Sequence, residues 1–354
     1  MKVAVWGSYN HGNFGDDVMA VLFARAVAEA GGEPVVYRMD SDLARRYDIE
    51  TESELEPLLD GARLVIMGGG AMLAGGGLRK QAQRWYRDYN RDFARLALAA
   101  ERADCPIHPI SIGGDGGAST LSRSQRRLYS SSAMGSATVR LPTDVDVLEG
   151  FGVRAVHHPD ILLAGPQLLG TSGGHQAREE CTTIGVNIFE RTGRTLATRL
   201  LDEAARRPDL RLVFMHSHLP SMPQQYEIQP EVDLPNVTLH RYTDPVATCE
   251  TIASLDLLVT SKLHLGVTAL AGGVPFLSYA GPPKATAFLS ELGASRDVYT
   301  QARSGDLFDL LVAPDGPERI LQGVPWAAVE TARDASAGHL EALRRVIDAA
   351  AGGS

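Results

Sequence analysis

The sequence predicts an α/β protein made of two similar halves with a cleft between them, and three observations support this. The chain has 354 residues, more than one hydrophobic core usually serves, so two domains are expected. Short apolar runs alternate with amphipathic stretches, as in βα units around a mostly parallel sheet. A polar, glycine-rich stretch over residues 166–180 separates two such series and is typical of a linker.

These patterns set the expected domain boundaries. An N-terminal α/β domain covers residues 1–165, the linker covers 166–180, and a C-terminal α/β domain covers 181–325. Residues 326–354 contain a long amphipathic helix that can pack back on either domain.

The predicted strands are short apolar runs that end in glycine, proline or polar residues. In order along the chain they are Lys2–Trp6, Glu33–Arg38, Leu64–Met67, Ile107–Ile112, Ala137–Arg140, Val153–His158, Thr182–Ile188, Leu210–Met215, Val237–His240, Leu257–Val259 and Pro275–Ser278. A helix over Asp16–Ala30 follows the first strand, because apolar residues such as Val18 and Leu22 recur on one face. Another long helix is predicted over Gln81–Ala100.

The charge balance argues against nucleic acid as a partner. The chain carries 34 lysines and arginines against 43 aspartates and glutamates, a formal net charge of -9. A nucleic-acid-binding protein needs a basic surface that displaces counterions. An anionic substrate must therefore be held by a few local cations, because the overall field repels it.

The three cysteines, Cys105, Cys181 and Cys249, are odd in number and widely spaced. This spacing argues against a disulfide framework or a structural zinc site and indicates reduced thiols in a cytosol. The segment Met1–Gly7 indicates a buried strand rather than a secretory signal. No run approaches the roughly 20 apolar residues of a membrane span. We therefore expect a cytoplasmic protein that would meet any membrane-bound partner at the membrane surface.

The segment Ser261–Gly266 follows an apolar strand and begins a helix. Lys262 and His264 are therefore expected at the carboxyl end of a strand, where ligands bind in open α/β sheets. The N–H groups and positive potential of a helix N-terminus favour a bound anion. Such an anion would favour protonation of His264 and make it an acid. A histidine that only caps or packs at the turn explains the pattern equally well.

Lys284 follows the next apolar strand, after the turn Gly281–Pro283. The glycine and prolines restrict this turn, so Lys284 is expected at the same sheet edge as His264. A single lysine in a loop is more commonly solvated surface, but its position one βα unit beyond His264 favours a role in binding.

The loop Gly7–Asp17 joins the first strand to the first helix and is rich in glycine, which allows close approach of the backbone to a ligand. Its glycine spacing differs from a dinucleotide-binding fingerprint. We interpret it as a wall of the cleft in which Asn13 or Asp16 contacts ligand hydroxyls, although helix capping is the favoured role for Asp16. Gly69 and Gly114 belong to two further glycine-rich strand ends and complete a groove of bare backbone.

Arg140 ends a predicted strand, where its guanidinium suits a carboxylate or phosphate; a surface salt bridge is the equal alternative. His216 and His218 lie at the end of another strand. Either one of them touches substrate, in which case we choose His216, or neither does. His157 and His158 are adjacent, so in a strand they point to opposite faces and cannot bind one ion. His216 and His218 have no visible third and fourth metal ligand, so no zinc site is expected.

In this order, the segments resemble the polysaccharide pyruvyl transferase family over most of residues 1–300. The segments that carry the resemblance are Gly7–Asp16, Met67–Gly70, Ser111–Gly114, Arg140, His158–Ile161, Ser261–His264, Ser278–Tyr279 and Lys284. The most specific part of the resemblance is the block from Ser261 to Lys284, together with Phe288–Gly293 after it. Two positions depart from the family pattern: Lys262 stands where the family usually has arginine, and Leu141 where it usually has aspartate. The first departure removes a two-pronged guanidinium.

The resemblance implies two Rossmann-like domains facing across a cleft, as in the GT-B glycosyltransferases, with the acceptor on the N-terminal side and the donor on the C-terminal side. It also implies transfer of a pyruvyl unit from phosphoenolpyruvate (PEP) to two hydroxyls of a saccharide, which gives a cyclic ketal and phosphate without a cofactor or metal. The family's PEP-binding arginine falls on Arg140, its catalytic histidine on His264 and its second PEP-binding cation on Lys284. The expected setting is cell-surface polysaccharide biosynthesis, with a saccharide or glycolipid acceptor and peripheral membrane contact.

Two other functions stay open at this point. A GT-B glycosyltransferase that uses a sugar nucleotide would need nucleotide contacts in the C-terminal half, where no clear acidic ribose-binding residue is visible. A family member that binds an anion without catalysis, or that uses a small acceptor, would show the same motifs. The sequence gives no indication of the oligomeric state.

Overall fold

The computed structural model describes residues 1–75, 84–114, 120–171, 182–220 and 226–352. The chain divides into two compact units. The first unit comprises Met1–Gly12, Asp16–Ile161 and Asp334–Ser354, and the second comprises Asn13–Gly15 and Leu162–Arg333. The chain therefore changes unit after Ile161 and again after Arg333, and three residues near the N-terminus belong to the second unit.

The first unit contains a parallel sheet with the strand order β3-β2-β1-β4-β5. Its strands are β1 (Lys2–Trp6), β2 (Glu33–Tyr37), β3 (Glu50–Glu52), β4 (Leu64–Gly68) and β5 (Ile107–Ile110), followed by the parallel pair β6 (Ala137–Val139) and β7 (Ala155–His157). Its helices are α1 (Phe14–Glu29), α2 (Ser41–Arg46), α3 (Leu55–Leu59), α4 (Arg84–Ala103), α5 (Arg123–Tyr129) and α6 (Pro142–Glu149). On one face of the sheet, Trp6 packs edge-on against Phe93 of α4, with their ring centroids 5.2 Å apart.

The second unit contains a parallel sheet with the strand order β10-β9-β8-β11-β12-β13. Its strands are β8 (Thr182–Asn187), β9 (Leu210–Met215), β10 (Val237–His240), β11 (Leu257–Thr260), β12 (Phe276–Tyr279) and β13 (Val298–Tyr299). Its helices are α7 (Gly165–Leu169), α8 (Glu190–Ala204), α9 (Pro245–Ala253), α10 (Leu263–Ala271), α11 (Pro283–Glu291), α12 (Ser304–Val312) and α13 (Gly316–Gly323). The long helix α14 (Trp326–Gly352) ends the described chain.

Every predicted strand is present, and most bounds agree within one or two residues. The prediction missed β3 and β13. β3 consists of Glu50–Glu52 and has no apolar run, and β13 is only two residues long. Both strands are held by parallel pairing to a neighbour, which local sequence patterns do not encode.

The predicted linker at 166–180 is wrong in its first part, because Gly165–Leu169 forms the helix α7. Pro166 lies in the first turn of α7, and Gly170 ends it in the left-handed conformation, with φ 67°. A proline at the start and a glycine at the end are ordinary helix boundary signals. The rest of the predicted linker, from residue 172 on, lies outside the described residues, as does Cys181.

Helix α14 is anchored in the first unit by His339, a fully buried side chain. The Nε2 atom of His339 lies 3.0 Å from the carbonyl oxygen of Pro159, and its Nδ1 atom lies 2.7 Å from the hydroxyl of Thr138. Burial, with a smaller contribution from the nearby His158, lowers the pKa of His339 to about 3. The imidazole is therefore neutral in the folded protein at neutral pH. None of the helices among the described residues combines the length and apolar character that a membrane span requires.

We expect His339 to make the protein sensitive to acid. Its pKa is about 3 when folded and near 6.5 when unfolded, so the unfolded chain binds more protons between these values. Stability is therefore full above about pH 6.5 and falls as the pH drops toward 3. Urea unfolding across this range should show a flatter pH dependence for His339→Gln than for the wild type. Leu343→Ala, at another buried position of α14, should lower stability and leave the slope unchanged.

Candidate functional site

The strand order of the second unit reverses between β8 and β11. Strands β9 and β10 are added on one side of β8, and β12 and β13 on the other side of β11. In open parallel sheets the crevice at such a reversal, beyond the carboxyl ends of the strands, is where ligands bind. The residues that follow β8, β9 and β11 are therefore the candidates for this unit's site.

Lys262 and His264 occupy this position. Lys262 is the N-cap of α10 and has an extended backbone, with φ −115° and ψ 125°. Its N–H donates to the hydroxyl of Thr260, the last residue of β11, over 2.9 Å. His264 lies in the first turn of α10, where backbone N–H groups without helical partners create positive potential. Both side chains are half-buried, and their predicted position at the carboxyl end of a strand is confirmed.

The imidazole of His264 lies against Gly15, one of the three N-terminal residues that belong to the second unit. A Cβ atom on Gly15 would come within 1.9 Å of Nδ1 of His264, so a larger residue would displace the ring. Backbone hydrogen bonds hold the glycine there. The N–H of Phe14 donates to the carbonyl of Ser217 over 2.8 Å, and Asn13 pairs with His218 in an antiparallel bridge.

Asn13, and not Asp16, caps the first helix. The side-chain oxygen of Asn13 accepts from the N–H of Gly15 over 3.2 Å, the geometry of an N-cap side chain and the second helical residue. The prediction that Asp16 caps was wrong because α1 begins at Phe14, two residues earlier than expected. Asp16 lies in the first turn, near Gly70 in the first unit.

A buried carboxylate, Glu227, lies among the strand ends of the second unit. Its oxygens accept from the side-chain amide of Asn187 over 3.1 Å, from the N–H of Ser217 over 3.1 Å and from the hydroxyl of Ser217. Burial tends to raise the pKa of Glu227, but His218, the charge of Lys262 and these hydrogen bonds outweigh it and hold the pKa at about 2. Glu227 is therefore ionised at neutral pH and faces Lys262 with opposite charge.

Glu227 is a residue that sequence reasoning missed, as are Asn187 and Ser217. Glu227 is one of three acids in a polar stretch, and its bridge to Phe189 brings it to the site. The ammonium of Lys262 lies 5.0 Å from the centroid of the Phe189 ring, which is within the range of a cation–π contact. Of these three residues, only Asn187 has a sequence pattern that predicts its place, because it is a polar residue at the end of an apolar strand.

His216 and His218 have different surroundings. Nδ1 of His218 lies 3.6 Å from a carboxylate oxygen of Glu227. His216, the residue chosen from the sequence, is 2% exposed, and its Nε2 has no hydrogen-bond partner among the described residues. Burial lowers the pKa of His216, although Glu227 acts in the opposite direction. Of the two histidines, His218 is therefore the one in contact with the carboxylate.

Ser261 and Lys284 follow neighbouring parallel strands, as predicted. The hydroxyl of Ser261 donates to the carbonyl of Tyr279 over 2.6 Å and ties the end of β11 to that of β12. Ser261 is 1% exposed, so its hydroxyl stabilises the pairing of the two strand ends. Lys284 lies in the first turn of α11, directly after Pro283, and is half-buried.

The remaining predicted residues, Arg140, Asp16, Gly69 and Gly114, belong to the first unit. Arg140 follows β6 and is 6% exposed. Its Nη1 lies 3.1 Å from a carboxylate oxygen of Asp160, so the ion pair is buried and not at the surface. A Cβ on Gly113 would lie 2.6 Å from Nε of Arg140, which shows how closely the guanidinium packs on this backbone.

Gly69 and Gly114 have protein partners for their N–H groups. The N–H of Gly69 donates to the carbonyl of Ile110 over 3.0 Å, and that of Gly114 donates to the carboxylate of Asp144 over 3.0 Å. Gly69 has φ 64°, and a Cβ there would meet the sulfur of Met19 at 2.2 Å. Close packing therefore accounts for both glycines in this unit.

We expect Arg140→Met to destabilise the protein by about 3–5 kcal/mol, because it leaves the carboxylate of Asp160 buried without its arginine. The double variant Arg140→Met/Asp160→Asn should lose less stability than the two single variants added together. Urea unfolding measures all four proteins. Simple additivity would contradict the coupling of the two side chains.

Comparison with solved structures shows what the fold resembles. A UDP-GlcNAc 2-epimerase from Neisseria meningitidis bound to UDP-GlcNAc is 12% identical, with a TM-score of 0.59 over 94% of this chain and 98% of that chain. A glycosyltransferase from Rickettsia africae is 10% identical, with a TM-score of 0.53 over 100% and 99%. A spinosyn rhamnosyltransferase complexed with thymidine diphosphate is 14% identical, with a TM-score of 0.53 over 98% and 100%. These likenesses confirm a fold of two Rossmann-like domains of the GT-B type.

No curated protein matches the sequence significantly. A family model does match it: the model for polysaccharide pyruvyl transferase covers residues 13–281, which is more than half of the chain and includes Asn13, Arg140 and His264. With the strand-end lysine and histidine of the second unit in place, the chain belongs to the polysaccharide pyruvyl transferase family of transferases.

Proposed function

We propose that this protein transfers a pyruvyl unit from PEP to a saccharide, forming a ketal and releasing phosphate. The observation that carries the proposal is His264 in the first turn of α10, beside the N-cap Lys262 and at the reversal of strand order. The proposal combines an acid, a cation and a helix N-terminus at the edge where this fold binds ligands.

The donor is a small molecule with two anionic groups, a carboxylate and a phosphate. In a chain of net charge -9, local cations have to provide its binding energy. Lys262 and Lys284 each lie at the N-terminal end of a helix that follows one of two neighbouring strands, so ammonium groups and helix N-termini act together there. Arg140 enters the proposal through the family resemblance, as a further PEP-binding residue.

Glu227 affects how strongly Lys262 can bind an anion. The carboxylate lowers the net positive charge at this edge, but it also holds His218, Ser217 and Asn187 in place. Lysine lacks the two-pronged geometry of arginine and binds phosphate as a point charge. We therefore assign Lys262 to charge attraction, with Glu227 and Phe189 restricting where its ammonium lies.

The chemistry requires proton transfer in both of its stages. In the first, a saccharide hydroxyl adds to C2 of PEP while C3 takes up a proton and becomes a methyl group. In the second, a neighbouring hydroxyl displaces phosphate from C2, which closes the ketal ring and leaves its proton with the phosphate. His264 is the proposed acid, because an imidazole beside a bound anion is favoured in its protonated form.

The acceptor is proposed to be a saccharide or a glycolipid, and the setting to be cytoplasmic synthesis of a cell-surface polysaccharide with peripheral membrane contact. A glycosyltransferase that uses a sugar nucleotide is the alternative. It draws support from solved structures of similar fold whose titles name UDP-GlcNAc and thymidine diphosphate, although identities of 12% and 14% bear on the fold alone.

We expect PEP to stabilise the wild-type protein against thermal unfolding and to yield phosphate when saccharide acceptors are added. UDP- and GDP-sugars should do neither. His264→Ala should release phosphate on the order of 10²–10⁴ times more slowly and still bind PEP, as measured by calorimetry.

The control for this variant is His240→Gln, since His240 bonds to Thr248 and Thr251 in the same unit and has no part in the proposed chemistry. It should keep its turnover. Undiminished phosphate release by His264→Ala would remove the acid assignment. Stabilisation by sugar nucleotides and not by PEP would replace the proposed function with the alternative.

We expect Gly15→Ala to act on turnover through His264. The new methyl group would overlap Nδ1 of His264 and push the ring from its position, and misplacement by about 1 Å can cost roughly 100-fold in rate. The matched control is Gly272→Ala at the C-cap of α10, the helix that carries His264. A Cβ at Gly272 would lie at an ordinary 3.4 Å from its nearest atom. Equal turnover of the two variants would contradict the role of the Gly15 contact.

A further inference from the structure

The segment His158–Asp160 of the first unit is held by helix α14. The ring of His158 lies against Gly338, where a Cβ would come within 2.2 Å of Cε1. The rings of His158 and His339 are 5.2 Å apart in an edge-on arrangement. Nε2 of His339 also lies 3.0 Å from the carbonyl oxygen of Pro159. The helix therefore contacts the two residues that directly precede Asp160.

The hydrogen bonds of His339 determine its tautomer. The carbonyl of Pro159 can only accept, so Nε2 carries the hydrogen. In a neutral imidazole Nδ1 is then an acceptor, and the hydroxyl of Thr138 donates to it over 2.7 Å. The Thr138 oxygen in turn accepts from the N–H of Ser111 over 3.0 Å. Each donor in this series of hydrogen bonds meets an acceptor, so the imidazole of His339 has one orientation.

The same segment carries the partner of Arg140. Asp160 is 2% exposed and pairs with Nη1 of Arg140. The next residue, Ile161, donates its N–H to the hydroxyl of Ser111 over 3.3 Å. The carboxylate therefore lies between one contact to α14, at Pro159, and one to the end of β5, at Ser111. A change at either contact would therefore move the backbone of Asp160 and, with it, the carboxylate that pairs with Arg140.

We propose that His339 is a positioning residue for anion binding by Arg140: through its hydrogen bond to Pro159 it places Asp160, and Asp160 sets the orientation of the guanidinium. The inference rests on the proposed function, in which Arg140 binds PEP. A bidentate guanidinium needs a defined plane to match a carboxylate or phosphate. Two residues outside the family's matched segment, Gly338 and His339, would thus contribute to donor binding.

Two substitutions separate the two hydrogen bonds of His339. In His339→Gln the side-chain amide nitrogen takes the place of Nε2 and keeps a donor for Pro159. In His339→Asn the side-chain oxygen takes the place of Nδ1, keeps an acceptor for Thr138 and loses the donor to Pro159. Leu343→Ala is the matched control, since Leu343 is buried on the same helix and its truncation lowers stability without removing a hydrogen bond.

We expect His339→Asn to raise the KM and the Kd for PEP about fivefold, the effect of one lost hydrogen bond, with little change in kcat. His339→Gln and Leu343→Ala should keep the wild-type KM despite lower unfolding midpoints. If Leu343→Ala raises the KM as much as His339→Asn, or if neither histidine variant changes it, the positioning role is overturned and the proposed function stands.

A second measurement needs no PEP. Unfolding midpoints of His339→Asn, Asp160→Asn and the double variant test whether the two side chains act together in the protein alone. Non-additive shifts support the positioning of Asp160 by His339, and additive shifts overturn it. Failure of the wild type to bind PEP at all would instead remove the proposed function, and these midpoints would still decide the inference.

Discussion

The candidate site of the second unit depends on the parallel arrangement of its strands. Parallel strands end at the same edge, so the residues after β8, β9 and β11 meet there although they are far apart along the chain. The strand order reverses between β8 and β11, the place where open parallel sheets form a ligand crevice, and α10 follows β11 there. The N-terminus of α10, with Lys262 and His264, thereby supplies the positive potential that an acidic protein otherwise lacks.

The segment Asn13–Gly15 completes this edge. It belongs to the second unit although the residues on both sides of it belong to the first. Its backbone pairs with Ser217 and His218, and Gly15 leaves space for the imidazole of His264. A single missing side chain thus determines where the proposed acid lies. Asn13 has a different role, because it caps α1 and defines where that helix starts.

In both units, a buried charged side chain is compensated by neighbouring groups of opposite charge or by hydrogen bonds. In the second unit Glu227 stays ionised because His218, Lys262, Ser217 and Asn187 outweigh the cost of burial. In the first unit Arg140 is matched by Asp160, and the segment that carries Asp160 is fixed by His339. Removing one partner of such a pair leaves an uncompensated charge. The position of each buried charge is therefore tied to that of its partner and of the residues that hold the partner.

Local patterns in the sequence determined the strands, the longer helices and the placement of Lys262, His264 and Lys284 at strand ends, because apolar runs and turn residues act over a few positions. Only the tertiary structure decided which side chains meet. Asn187 bonds to Glu227, 40 residues away, and to Thr260, 73 residues away, and Arg140 pairs with Asp160. The same holds for β3, which the prediction missed, and for the contact of His218 with Glu227. Contacts of this kind arise when strands pair and helices pack, and no short-range pattern encodes them.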